Sequence, residues 1–141
     1  MKRGFLRPVH VFSSVCCLVA FTSSSTYGQD FSIDEFLAVN ARGLTDSDGT
    51  HVDWIEIVHH GQTTASLSRW YLTDNAGSLM KWRFPDQESL VLEPGERLVV
   101  FASGKNRTGD ELHTNFSLSG NGEFLALVRP DGVNVAHAYT S

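Results

Sequence analysis

Three short segments between Asp53 and Pro85 constrain the fold of this chain more than any other part of the sequence. They are rich in aromatic and β-branched residues, are bounded by Gly, Asn, Asp or Pro, and run over Asp53–Val58, Leu67–Asp74 and Lys81–Pro85. Such segments are typical of β-strands. Each contains one of the three tryptophans of the protein. Because one tryptophan buries about 150–250 Å², three of them on antiparallel strands could anchor a core without a disulfide.

The rest of the chain continues the same pattern. Strands are predicted over Phe31–Val39, Val52–His59, Trp70–Leu72, Met80–Phe84, Arg97–Ala102, Phe124–Val128 and Val133–Ala138. Alternation along the second of these predicts that Ile55 and Ile57 face inward and Glu56 faces outward. Residues 103–115 are predicted to form a long polar loop. Turn signals recur every 8 to 12 residues or so, as expected of a two-sheet sandwich.

Five sequence segments carry a resemblance to a known family. They are DWIEI, LSRWYLTDNAG, KWRFPD, LEPGERLVVFASGK and ELHTNFSLSGNGEFLALVRPDG, in that order. Together they resemble the lamin tail domain family over Phe31–Tyr139, and they are most similar to its form in secreted and cell-surface bacterial proteins. The resemblance implies an all-β fold, an immunoglobulin-like β-sandwich. It also implies a domain used mainly for interaction, with no shared catalytic residues.

The sequence departs from the family at three places. The turn His59–Gln62 replaces an Asn-Pro-Gly-like turn, and Arg69 stands where relatives carry Gly just before the tryptophan. Since Gly in a strand often marks a bulge, either the bulge is absent here or its backbone angles suit a side chain. Relatives also run on through a further short segment, so either the last strand is shortened or the chain continues past Ser141.

The first 28 residues predict a signal peptide. Lys2, Arg3 and Arg7 precede an apolar stretch over Val9–Phe21, and small residues follow, with a cleavage site after Gly28. The apolar stretch has 13 residues, fewer than the roughly 20 that span a bilayer as a helix. An uncut membrane anchor is the alternative. The mature domain is therefore predicted to be residues 29–141, exported to the periplasm, the cell surface or the medium, with no stable membrane span.

Cysteine content and charge limit the stabilising bonds and the partners. Cys16 and Cys17 both lie in the predicted signal peptide, so the mature domain has no disulfide and must be stable through packing alone. Without the signal peptide, eight basic side chains remain against 16 acidic ones, a net charge of −8. This excess repels phosphate backbones, which counts against a nucleic-acid partner.

Acidic residues before the second strand are candidates for a calcium site. Asp46, Asp48 and Asp53 fall within eight positions, and calcium takes six to eight oxygen ligands. With Gly49 at position 6 of an EF-hand loop, however, Leu44 would take position 1 and Ile55 position 12, where the loop needs Asp and Glu. The alternative is a solvated turn in which the carboxylates cap their own backbone.

The histidines and the candidate nucleophiles give weaker evidence of a functional site. Together with His51, His59 and His60 resemble a metal cluster, but these two are adjacent on a strand and point to opposite faces. They cannot both ligate one ion unless the turn rotates one of them, and no Cys remains to complete a zinc site. Ser103–Lys105 lacks the rest of a phosphate-binding loop. Ser, His and Asp are present, but nothing in the sequence places them together. The chain is therefore predicted not to be an enzyme and to need no cofactor.

Three aromatic residues are the predicted binding residues. Trp54, Tyr71 and Trp82 could form an exposed platform for sugars or for an apolar patch of a partner. The alternative is that these rings, like that of Trp70, lie in the core. We predict a non-catalytic, exported interaction or structural domain that binds a protein or a cell-envelope component. The alternatives are a carbohydrate-binding accessory module and a small calcium-assisted hydrolase.

Overall fold

The computed structural model describes residues 30–122 and 124–140. These residues form eleven β-strands and no helix, so they include no helix that could cross a membrane. The strands are β1 Phe31–Leu37, β2 Asp53–His59, β3 Ala65–Ser66, β4 Tyr71–Thr73, β5 Trp82–Arg83, β6 Val91–Leu92, β7 Arg97–Ala102, β8 Arg107–Thr108, β9 Leu112–His113, β10 Leu125–Val128 and β11 Val135–Tyr139. The predicted signal peptide, residues 1–28, lies outside the described residues.

Two sheets make up the body of the molecule. The larger has the order β1-β2-β7-β9-β8, and the smaller has the order β11-β10-β4-β5. A separate ribbon pairs β3 with β6. All pairs are antiparallel except β7 with β9. Apolar side chains from both sheets meet in one buried cluster between them. The prediction of an all-β, immunoglobulin-like sandwich is confirmed.

The alternation of β2 decides which face of the large sheet is inside. Ile55 and Ile57 are fully buried, whereas Glu56 on the opposite face is partly exposed, as predicted. Burying each isoleucine stabilises the fold by about 1.5–3 kcal/mol. The small sheet supplies a matching inner row, in which Leu72 lies opposite both Leu127 and Trp82.

A bulge explains the imperfect alternation of β1. The register between β1 and β2 shifts between Ile33 and Glu35, so that Asp34 has no Cα partner on β2. An extra residue of this kind bends an edge strand and turns the side chains that follow it. Two adjacent acidic residues can therefore occupy one strand without either entering the core.

One stretch differs from the sequence-based expectation, and at Arg69 the structure decides between two alternatives. Residues 103–115 are not a plain loop, because they contain β8 and β9, and β9 extends the large sheet. Arg69, at the position where relatives carry Gly, has φ of 67°. The backbone there keeps the left-handed conformation that Gly favours and accommodates a side chain in it.

Candidate interaction face

One row of apolar and aromatic side chains crosses the outer face of the large sheet. Leu37 lies opposite Trp54, Trp54 lies opposite Phe101, and Phe101 lies opposite His113. Residues opposite one another share a face, and the inward direction of Ile55 places this row outside the sandwich. We call Leu37, Trp54, Phe101 and His113 the outer stripe. Its two ends differ in what covers them.

The end of the outer stripe at His113 is closed by loops. The His113 ring is 0% exposed and stacks on Phe101, with the ring centroids 5.3 Å apart. Its Nε2 lies 2.8 Å from Glu111 Oε2, and its Nδ1 lies 2.8 Å from Ser103 Oγ. Glu111 in turn accepts hydrogen bonds from the backbone N–H and hydroxyl of Ser47, at 3.1 and 2.8 Å. Two loops far apart in sequence are thereby joined over the histidine.

The direction of the hydrogen bond between His113 and Glu111 follows from the charge of Glu111. Burial raises the pKa of the Glu111 carboxyl, but hydrogen bonds from the backbone and hydroxyl of Ser47 and from His113 outweigh it, and the pKa is lowered overall. The ionised carboxylate can only accept. His113 Nε2 therefore donates the hydrogen bond that Glu111 accepts, and Nδ1 contacts the Ser103 hydroxyl.

Glu111, His113 and Ser103 have the order of groups found in serine hydrolases. The structure brings these three groups together, which corrects the expectation that nothing places such groups together. In an acyl-transfer site, free backbone N–H groups or side-chain donors stabilise the oxyanion. The three N–H groups after Ser103, in residues 104–106, are already donated to Phe116 O, Ser103 Oγ and Thr114 O. The hydrogen bonds of Glu111, His113 and Ser103 hold the loop before β2 against the residues that follow β7.

The three acidic residues that are candidates for a calcium site do not form one cluster of ligands. Lys105 Nζ contacts Asp46 Oδ2 and lies 2.7 Å from Asp48 Oδ2, while Arg107 lies 2.8 Å from Asp48. Asp53 is elsewhere, accepting the backbone N–H of Asn40 at 3.2 Å. The Lys105 ammonium thus sits between two of the three carboxylates. Within the described ranges, no three His, Cys, Asp or Glu residues converge as metal ligands.

This ion cluster shifts the pKa values of its members in the direction that keeps it charged. The hydrogen bond from Lys105 lowers the pKa of Asp46 against the opposing effect of burial, and N–H groups of the Asp46–Thr50 turn lower it further. The same lysine lowers the pKa of Asp48, and both carboxylates raise the pKa of Lys105. The cluster fixes the loop before β2 to the loop after β7.

The three histidines near β2 do not meet. His59 is 1% exposed and packs on Phe31, with ring centroids 4.8 Å apart. His60 is exposed and its Nε2 lies 2.8 Å from Ser32 Oγ, whereas His51 Nδ1 lies 3.2 Å from Leu44 O. Adjacent His59 and His60 point in opposite directions, as alternation predicted.

The predicted aromatic platform does not exist as one surface. Trp82 is 3% exposed and packs edge-on against Phe84 in the core. Tyr71 is half-buried on the outer face of the small sheet, opposite Arg83. Trp54 is half-buried on the large sheet. Cross-strand pairing of Leu72 with Trp82 is the physical reason, since it draws the indole inward.

The other end of the outer stripe is open. Leu37 is 36% exposed, and beside it the Trp54 indole is partly exposed. The next row across β1 and β2 is acidic, because Glu35 lies directly opposite Glu56. Arg97 contacts both Asp34 and Glu56, and those two carboxylates raise its pKa. The open end is thus an aromatic and aliphatic surface with an acidic border.

Comparison with models of protein families gives a match over most of the chain. A family model described as Lamin Tail Domain matches residues 25–141, which is most of the chain. No curated protein matches the sequence significantly.

Proposed function

The chain belongs to the lamin tail domain family, and from this we propose a non-catalytic, exported interaction domain that binds a protein or cell-envelope partner through the open end of its outer stripe. Family membership supports the absence of catalysis, because lamin tail domains are in general non-catalytic immunoglobulin-like domains. The bacterial secreted or cell-surface form is the one that we propose. The basic n-region and the apolar stretch Val9–Phe21 support export.

The observation that carries this proposal is the surface formed by Trp54 and Leu37. A tryptophan that is half-buried on a sheet face presents a rigid, largely apolar area at low cost in side-chain entropy, and such residues dominate binding energy at interfaces. Loops cover the His113 end of the same stripe. The open end is therefore the part of the stripe on which a partner can complete the burial.

Site-specific photo-crosslinking tests this proposal. Benzoylphenylalanine would replace Leu37 in the full chain in its native host, and the matched control would carry it at Val133, which is 72% exposed on the turn before β11. We expect a discrete adduct from position 37 that Trp54→Ala weakens, and no such adduct from position 133. Equal yields from both positions, or an adduct from position 133 alone, would contradict the proposal.

A polysaccharide of the cell envelope is the alternative partner for the same surface. A half-exposed indole beside carboxylates suits a sugar ring, since the indole can stack on the ring while the carboxylates accept hydroxyl protons. Co-sedimentation with insoluble polysaccharides separates this alternative from a protein partner. Retention that Trp54→Ala abolishes would favour the carbohydrate-binding module, whereas no retention leaves the protein partner as the proposal.

Geometry does not favour the calcium-assisted hydrolase. A calcium ion between Asp46 and Asp48 would have to displace the Lys105 ammonium. An unchanged melting temperature in millimolar calcium and in chelator is the expected result, and a rise with calcium would revive that alternative.

A further inference from the structure

We propose, on the premise that the open end of the outer stripe is the contact face, that the protein partner inserts an arginine there. Its guanidinium would stack on the Trp54 indole and pair with the carboxylate of Glu35. The partner is thus a protein segment with an exposed arginine.

The carboxylate of Glu35 is the first feature that favours an arginine. It is exposed and lies directly opposite Glu56 in the β1–β2 register. Like charges directly opposite one another destabilise a sheet. Arg97 contacts Asp34 and Glu56 and offsets their negative charge. In the part of the chain that the structure describes, no cation pairs with Glu35. An incoming cation would therefore relieve a repulsion that is built into the sheet.

The distance between the acidic row and the outer stripe is the second feature that favours an arginine. Glu35 and Leu37 are two residues apart on one face of β1, and Glu56 and Trp54 have the same relation on β2. Residues two apart on a strand are roughly 7 Å apart. One side chain lying along the strand can therefore cover the indole and reach the carboxylate. A cation within about 6 Å of a tryptophan ring is attracted to its face.

The shape of guanidinium favours arginine over lysine. It is planar, stacks on aromatic faces and pairs with carboxylates through two parallel N–H groups. The molecule makes this contact once already, because the Arg129 guanidinium lies 5.4 Å from the centre of the Trp70 ring. The net charge of −8, from eight basic and 16 acidic side chains after residue 28, also draws a cationic partner from a distance.

Titration of the full chain with two short peptides tests the inference. Acetyl-Gly-Arg-Gly-amide is the probe, and the peptide with neutral citrulline in place of arginine is the matched control. The indole N–H signals of the three tryptophans are followed by NMR, and loss of one signal in Trp54→Phe identifies Trp54. We expect the arginine peptide to shift the Trp54 signal and to bind about two- to fivefold more tightly than the citrulline peptide.

Two variants test the carboxylate. Glu35→Gln should remove most of the preference for arginine over citrulline, whereas Glu88→Gln, on the exposed turn after β5, should leave it unchanged. Equal binding of both peptides, or an arginine preference that survives Glu35→Gln, would overturn the inference. If position 37 crosslinks to a partner while the arginine preference is absent, the contact face stands and the partner chemistry is wrong. If position 37 forms no adduct, the contact face itself is wrong.

Discussion

His59 shows how tightly single residues are fitted in this molecule. Its ring is buried against Phe31, and neither ring nitrogen has a hydrogen-bond partner among the described residues. Gly61 allows the ring to lie there, because a Cβ on Gly61 would come within 2.5 Å of His59 Nε2. The turn His59–Gln62, which differs from the usual turn of the family, thus needs Gly for a packing reason.

Gly61→Ala should therefore lower the free energy of unfolding by about 1–3 kcal/mol, the usual cost of overpacking a rigid site. Urea denaturation measures the change. Gly109→Ala is the matched control, since a Cβ at Gly109 would meet no atom within 4 Å. A loss of stability in both variants, or in neither, would show that the contact with His59 is not the cause.

Arg69 is a position at which Gly, the usual residue of the family, should make the fold more stable than the residue present. An L-residue in the left-handed region costs roughly 1–2 kcal/mol, and Arg69 has φ of 67°. Gly removes that cost but gives the unfolded chain about 0.4–1 kcal/mol more entropy to lose. We expect Arg69→Gly to raise the free energy of unfolding by up to about 1 kcal/mol.

Arg83→Gly is the control for that substitution, because Arg83 is exposed and lies within β5. There Gly should destabilise by about 0.5–1 kcal/mol. Destabilisation of similar size at both positions would mean that Arg69 carries no backbone strain.

At the scale of elements, two loops are held together by charge. In the loop before β2, Asp46 and Asp48 pair with Lys105 of the loop after β7. Asp48 also pairs with Arg107 of β8, and Ser47 donates to Glu111 of the turn between β8 and β9. These contacts keep the His113 end of the outer stripe closed.

The stability that Asp46 contributes should depend on pH. Lys105 holds its folded-state pKa below the ordinary value of 3.8, so the contribution is complete at neutral pH and is lost as the pH falls below that value and through the folded-state pKa. The stability difference between wild type and Asp46→Asn should thus be largest at pH 7 and shrink in acid. Asp110→Asn, on the exposed turn between β8 and β9, is the control. A difference that does not change with pH would contradict the ion pair.

The long strands could be predicted from sequence and the short ones could not. Ile55 and Ile57 alternate over a seven-residue strand, which gives a period to read. By contrast, β8 and β9 have two residues each, which is too few to show a period. Both lie in the stretch that is predicted from sequence to be a polar loop. Glu111 and His113 are two residues apart on one side of the chain, which is the only local signal that they could act together.

The contacts that build the site also lie beyond local sequence patterns. Lys105 and Asp46 are 59 positions apart, and Ser47 and Glu111 are 64 positions apart. Only the order of strands β1-β2-β7-β9 brings these loops to one end of the sheet. For the same reason the aromatic platform was wrong as a unit, since Trp54 and Trp82 belong to different sheets.

At the scale of the whole molecule, the three tryptophans divide between two tasks. Trp70 and Trp82 lie in the core between the sheets, and Trp54 lies on the outer face of one sheet with its ring partly open. Core tryptophans stabilise the fold, whereas a half-exposed one on a sheet face is free to bind. The fold thus assigns packing to one set of tryptophans and contact to another.

The most direct test of this claim compares the free energies of unfolding of Trp82→Ala and Trp54→Ala, measured by urea denaturation of the full chain. Trp82→Ala should lose about 3–5 kcal/mol, as buried tryptophans do, and Trp54→Ala should lose only about 1 kcal/mol. Losses of equal size would place Trp54 in the core, and a larger loss from Trp54→Ala would contradict the account.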